Sequence, residues 1–254
     1  MPIQIRYSLR LLLLITIAIA VVFITLANRQ ERASSLSRQQ TDREGKQVVI
    51  DRFLRNKVAL PDVDYTAAES RVEAQSKLRK VRAKRYNGRW TPFAKQREDT
   101  VEITAIEESL VSLPALPVAE SDAVVVGTIK DARGYLSEDK SGAFSEYAVE
   151  VTEALKAPAN LTGSQIIADR IGARVILPKG RTILYWDPQK GTPEVGHRYV
   201  LFLNYHPEGD DYSILTGYEL INGHATPLDR DQTFAIFDSN EETAFLDLVR
   251  SRVK

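Results

Sequence analysis

Seventeen consecutive uncharged residues, Leu11 to Ala27 (LLLLITIAIAVVFITLA), begin ten positions into the chain. As a helix rising about 1.5 Å per residue, the run covers about 26 Å, near the short end of what spans a hydrocarbon core. It has no polar face to turn to water, so the chain is expected to be inserted into, or exported across, a membrane. Arg6 and Arg10 precede the run and Asn28 and Arg29 close it, in the layout of a signal sequence. The run is longer than the usual signal core of about 7 to 15 residues. Cleavage signals are poor: Ala18-Ile19-Ala20 lies inside the run, and Thr25-Leu26-Ala27 has Thr where a smaller residue is preferred. Residues 1–28 are therefore read as an uncleaved single-pass anchor, with a cleaved signal and secretion as the alternative. The α-amine, Arg6 and Arg10 face Arg29, Arg32 and Arg38 across the run, so the positive-inside rule does not decide orientation. An apolar run this early acts as an export signal, which favours an extracytoplasmic C-terminal domain. No cysteine is present, which excludes disulfides and thiolate metal sites.

The net charge of zero conceals two opposite halves. Residues 1–97 hold 20 Lys/Arg and 8 Asp/Glu, while residues 98–254 hold 14 and 26, giving +12 and −12. Between Arg71 and Arg97 ten basic side chains stand against Glu73 alone. From Tyr65 to Tyr86 there is no Gly or Pro and strong helix formers dominate, with only a narrow apolar stripe. Residues 29–97 are accordingly expected to be a basic, largely helical juxtamembrane stalk, and 98–120 a Pro-containing linker. Arg71–Arg97 is either a solvated spacer or a surface for anionic lipid headgroups, each basic residue contributing about 1 kcal/mol near a membrane. Nucleic acid is disfavoured as a partner, because Tyr86 and Trp90 are isolated and make no stacking platform.

Residues 121–254 have another texture. Runs rich in Val, Ile, Tyr, Phe and Thr cover 123–129, 144–155, 165–168, 174–177, 182–186, 198–205, 212–216 and 233–237, with turn signals between them. Tyr147 to Val151 alternates apolar and polar, whereas Tyr199 to Tyr205 is apolar on both faces, as for a strand buried on both sides. Asn222-Gly223 supplies the positive φ angles of a type I′ hairpin turn. A terminal helix follows, capped by Ser239 or Asn240, with Glu241 and Glu242 in its first turn and Arg250 and Arg252 in its last. The fold class is mainly β: an antiparallel OB-like barrel with a C-terminal helix, preceded by the transmembrane helix and helical stalk.

Three segments carry a family resemblance: Glu120–Ile129 (ESDAVVVGTI), Tyr147–Lys156 (YAVEVTEALK) and Gly196–Leu203 (GHRYVLFL). Their order resembles the netrin-like, tissue-inhibitor-of-metalloprotease-type OB barrel, and bacterial exported proteins with the same pattern, over about residues 120 to 221. The resemblance implies a fold. It does not imply zinc-directed inhibition, since the N-terminal cysteine that those inhibitors use is absent here.

No P-loop, G-x-G-x-x-G, G-x-S-x-G or His-Glu-x-x-His motif occurs, so no catalytic, cofactor-binding or metal-ligating residue is assigned and no cofactor is expected. His206-Pro-Glu-Gly-Asp-Asp211 places one imidazole and three carboxylates within six residues, but without EF-hand spacing, and Pro207 and Gly209 make it read as a polar hairpin loop. His197 starts a strand and His224 follows the Asn-Gly turn. Arg170, Arg174 and Arg181 could pair with an anion, but strand-edge charge is the simpler reading. Tyr185, Trp186, Tyr199, Tyr205, Tyr212 and Tyr218 are first of all packing residues, with a binding face as the alternative.

The sequence thus describes a membrane-anchored extracytoplasmic binding or scaffolding module with an unknown protein partner. Two alternatives remain: an inhibitor-like module acting on an envelope or secreted enzyme, and a hydrolase in which His206 converges with Asp210, Asp211 or a distant carboxylate.

Overall fold

A computed structural model describes residues 60–64, 77–88, 90–98, 101–108, 112–157, 161–177 and 181–253, all within one compact unit. The apolar run Leu11–Ala27 lies outside the described residues. Among those described, no helix is long and apolar enough to cross a membrane.

Five strands close a barrel: β4 (Ala123–Leu136), β5 (Ala143–Lys156), β6 (Gln165–Ile171), β9 (Arg198–His206) and β10 (Asp211–Ile221). β4 pairs with β5 and β9, β5 with β6, and β9 with β10, all antiparallel, and β10 returns to β6 in parallel. With the barrel strands numbered first to fifth along the chain, the ring order is 1-2-3-5-4, loosely consistent with an OB-like barrel. A hairpin extends β10 into β11 (His224–Pro227) through Asn222 and Gly223, at φ 53° and 77°, as the Asn-Gly pair predicts.

Burial on two faces explains the strands that lack alternation. Ala123, Val125, Leu201 and Leu203 point into the barrel, while Val124, Val126, Val200 and Phe202 point outward and are buried as well. Their outer cover is α3 (Glu242–Val253), which lays Phe245, Leu246 and Val249 on them, after α2 (Gln232–Ala235) has added Phe234. Leu113, Leu116 and Val118 complete this cover, and the Tyr218 hydroxyl donates to Ala115 O at 2.6 Å. Much of the expected linker is therefore packed chain.

A second sheet runs β1 (Asp62–Asp64), β7 (Ala173–Ile176), β8 (Thr182–Trp186), β3 (Val101–Glu108) and β2 (Trp90–Glu98) in that spatial order. Strands β1 to β3 fall in segments expected to be stalk and linker. β3 lies parallel to β8, with Ile103 opposite Leu184. The run at 233–237, expected as a strand, instead begins with helix α2, because Asp231 accepts from Thr233 N–H and caps a turn. The cap of α3 is Glu241 rather than Ser239 or Asn240. Asn240 and Glu241 form β12, pairing with β11, and the Glu241 carboxylate accepts from Thr243 and Ala244 N–H.

Three bulges shift the β4–β5 register, at Val124/Val125, Val126/Gly127 and Ile129/Asp131. They let each strand run 14 residues and still curve, which carries β4 past its apolar stretch into Lys130–Leu136. Gly127 sits where the bulged backbones approach: a Cβ there would lie 2.7 Å from Val149 Cγ1 and 2.9 Å from Glu150 O. Gly127→Ala is expected to destabilise the fold by about 1–3 kcal/mol, read as a lower urea midpoint at unchanged slope. An unaltered midpoint would mean that the strands can separate at no cost.

Candidate functional site

Six of the nine residues of helix α1 (Lys77–Arg85) are basic and only Ala83 among its apolar ones is buried, so its place on the barrel is set largely by charge. Arg79, Arg82 and Arg85 recur every third residue and turn inward, while Lys77, Lys80 and Lys84 are exposed. Arg82 donates Nε–H and Nη2–H to Gly209 O at 3.1 and 2.8 Å and Nη1–H to Glu146 at 3.3 Å, with Asp211 Oδ2 3.3 Å from Nε. Arg85 donates Nη1–H to Asp211 Oδ1 at 2.9 Å, and its Nη2 bridges Asp211 and Asp169. Both aspartates are fully buried. Arg79 lies over the Tyr135 ring, 4.4 Å from its centroid. Just beyond the helix, Tyr86 stacks on Phe144 at 4.5 Å and donates its hydroxyl to Asp169 at 2.8 Å.

The guanidinium fork suits this task, since it meets carboxylates at two points and is more weakly hydrated than an ammonium. Gly209 is required between the partners: a Cβ there would fall 2.2 Å from Asp211 Oδ1 and 2.8 Å from Arg85 Nη1. Burial pushes Asp169 up to about 7. Arg85 opposes that shift, the Asp211 charge adds to it, and hydrogen bonds from Ser213 and Tyr86 hold it back. Burial would lower Arg85, but hydrogen bonds and charge from Asp211 and Asp169 outweigh it and raise the group. The two shifts favour different states of Asp169. The rise in Asp169 is the one that geometry supports, because Asp169 is fully buried and shares its arginine, Arg85, with the equally buried Asp211.

The loop 206–211 is a hairpin turn between β9 and β10, as its Pro and Gly imply, and its ligand-type side chains diverge. Asp211 goes inward to Arg85, the Asp210 carboxylate accepts from the Tyr205 hydroxyl at 3.1 Å, and His206 Nε2 meets Ser213 Oγ at 2.8 Å. Among the described residues no three His, Asp or Glu side chains converge as a metal-ligand set. Ser213 in turn donates to Asp169 at 2.8 Å, giving a His206–Ser213–Asp169 chain. A serine nucleophile needs the opposite polarity, with its proton directed at the imidazole. Here the hydroxyl proton is given to the carboxylate.

Beside this network lies a groove of about 850 Å³, lined by Arg82, Asp122, Leu161, Gln165, Ile166, Ile167, Tyr205, Asp210 and Tyr212. It opens where β6 and β10 pair through only two residue pairs, Tyr212 with Ala168 and Ser213 with Asp169. The Tyr205 and Tyr212 rings are 5.1 Å apart at 49°, and Tyr205 is 40% exposed. Tyr205 N–H donates to Asp122 Oδ2 at 2.8 Å.

No family model, curated protein or solved structure matches the chain.

Of the aromatics singled out in the sequence, Tyr185, Trp186, Tyr199 and Tyr218 are core, and Tyr205 and Tyr212 alone line the groove. Arg170 is buried against Asp229 rather than serving as edge charge, while Arg174 and Arg181 are exposed. His197 is half-buried and meets Glu219; His224 is exposed. The arginine network was not anticipated, although the three-residue spacing of arginines within a lysine-bearing helix was its visible signal.

Arg85→Met leaves two buried carboxylates without their main partner and is expected to lower stability by about 3–5 kcal/mol. The exposed Lys84→Met should stay within about 0.5 kcal/mol, a contrast that urea denaturation of both variants measures. Asp169 holds its proton to higher pH in the folded state than in the unfolded one. Its contribution to stability is therefore complete below the ordinary carboxylate range and is lost as pH rises through about 7. Carboxyl carbon NMR should give a midpoint near that value, and Asp169→Asn should flatten the pH dependence of stability over that range.

Proposed function

We propose that the protein is a membrane-anchored, extracytoplasmic binding module of the bacterial envelope, whose barrel presents the Tyr205 groove to a partner. The groove is the observation that carries this reading. It is of ligand-binding size, it pairs an exposed aromatic ring with a buried one, and few sites of that size occur on one domain. The likeness to netrin-like barrels over residues 120–221 supports the same direction, since a small closed barrel with decorated loops is a scaffold for stoichiometric recognition. The anchor is Leu11–Ala27. With Arg79, Arg82 and Arg85 committed to the barrel, attraction to anionic headgroups on α1 falls to Lys77, Lys80 and Lys84.

A hydrolase is the second reading, and one observation favours it: His206, Ser213 and the distant carboxylate Asp169 form a hydrogen-bonded chain. The polarity of that chain weighs against it. His206→Ala separates the two readings. It leaves ligand binding intact in a binding module and abolishes turnover in a hydrolase.

Two measurements test the main reading. In fractionated cells the intact mass is expected in the membrane, with the barrel digested by protease added outside spheroplasts; a protected barrel overturns the orientation. Against an envelope extract, Tyr205→Ala is expected to weaken retention of the partner by about tenfold or more, as removal of an aromatic anchor does, while thermal unfolding stays unchanged. Retention unaffected by Tyr205→Ala removes the groove from the account.

A further inference from the structure

We propose that the Tyr205 groove takes an alkylammonium or guanidinium group, as presented by the lysine or arginine side chains of a basic peptide; this rests on the binding-module reading. Arg82 gives three of its five N–H groups to Gly209 O and Glu146, and its charge faces Glu146 and Asp211. The Tyr205 hydroxyl proton goes to Asp210. The charged acceptors of the groove are Asp122 and Asp210. Asp122 and Asp210 are exposed, one oxygen of each takes a bond from Tyr205, and an ionised carboxylate offers about four lone-pair sites. Two carboxylates against one arginine already paired to Glu146 and Asp211 favour a ligand rich in donors.

The remaining walls agree with that class. Tyr205 offers a solvent-facing ring, which attracts a cation through its quadrupole. Leu161, Ile166 and Ile167 supply an apolar surface on which the methylene stem of a lysine or arginine can lie while its charged head reaches the carboxylates. At about 850 Å³ the groove holds more than one side chain, which suits a peptide. The chain itself uses this chemistry next door, where α1 seats two guanidinium groups on Asp169 and Asp211.

The test is calorimetric titration of the full chain in neutral maltoside micelles with hexalysine, spermine, hexaglutamate and maltohexaose. Hexalysine is expected to bind at one saturable site. Asp210→Asn and Tyr205→Ala should each weaken it by about tenfold, the scale of a lost charge-assisted or cation–π contact, while Tyr205→Phe, which keeps the ring, restores most of the affinity. Glu194→Gln, an exposed acid beyond the opposite end of β9, should leave binding unchanged. Equal weakening by Glu194→Gln would mean diffuse attraction and overturns the site. Spermine binding as tightly as hexalysine supports the chemistry and points to a free polyamine as its source. Maltohexaose or hexaglutamate binding that Tyr205→Ala abolishes overturns the cationic ligand while keeping the binding module. Silence of all four probes removes both.

Discussion

Strand β10 must satisfy two partners at once, β9 on one edge and β6 on the other, and the barrel closes only because it does. Its first three residues divide their labour by the pleat. Asp211 and Ser213 point to the side where α1 and Asp169 wait, and Tyr212 between them points into the barrel and the groove. The seam with β6 is short, so it is here, at the weakest joint of the ring, that the chain concentrates its buried charge. Removing the arginines would leave Asp169 and Asp211 desolvated beside each other at the joint that holds the barrel shut. Closure of the barrel and seating of α1 are thus a single electrostatic problem with a shared solution.

That solution also accounts for the opposed charge of the two halves. A chain of +12 followed by −12 suggests an arm and a domain kept apart, each looking outward for a partner. In the structure part of the basic half is spent within the molecule, three arginines on the barrel, and the lysines of the same helix are left to solvent. The residue type carries the distinction: the planar, weakly hydrated cation goes in and the strongly hydrated one stays out.

Legibility in the sequence followed the range of the physics. Local signals were readable: Thr182–Trp186 is a strand with the bounds its composition implies, and Asn222-Gly223 makes its hairpin. Burial on both faces, inferred for Tyr199–Tyr205, holds for Tyr199–Leu203 and ends before the exposed Tyr205, and nothing local showed that α3 would be the cover. Non-local features could not be read. β3 pairs with β8 across a separation of more than seventy residues, and nothing near Val101 announces a partner so far away. Thr233–Phe237 has strand composition, yet Asp231 caps it into a turn of helix. At the site, Tyr205 and Tyr212 were named among six aromatics, but only closure of the ring separates the two that line a groove from the four that fill the core. Asp169 lies in an unremarkable apolar strand, and its importance comes wholly from a helix that precedes it by more than eighty residues.

The outer cover of the barrel has a consequence in time. All five barrel strands and the hairpin strand β11 are complete by Pro227, but Val124, Phe202 and Tyr218 stay apolar and uncovered until α3 follows. Until that helix docks, a closed ring carries a greasy flank. Any species caught in that interval, nascent or truncated, is a sticky barrel, and the last helix acts as its built-in chaperone.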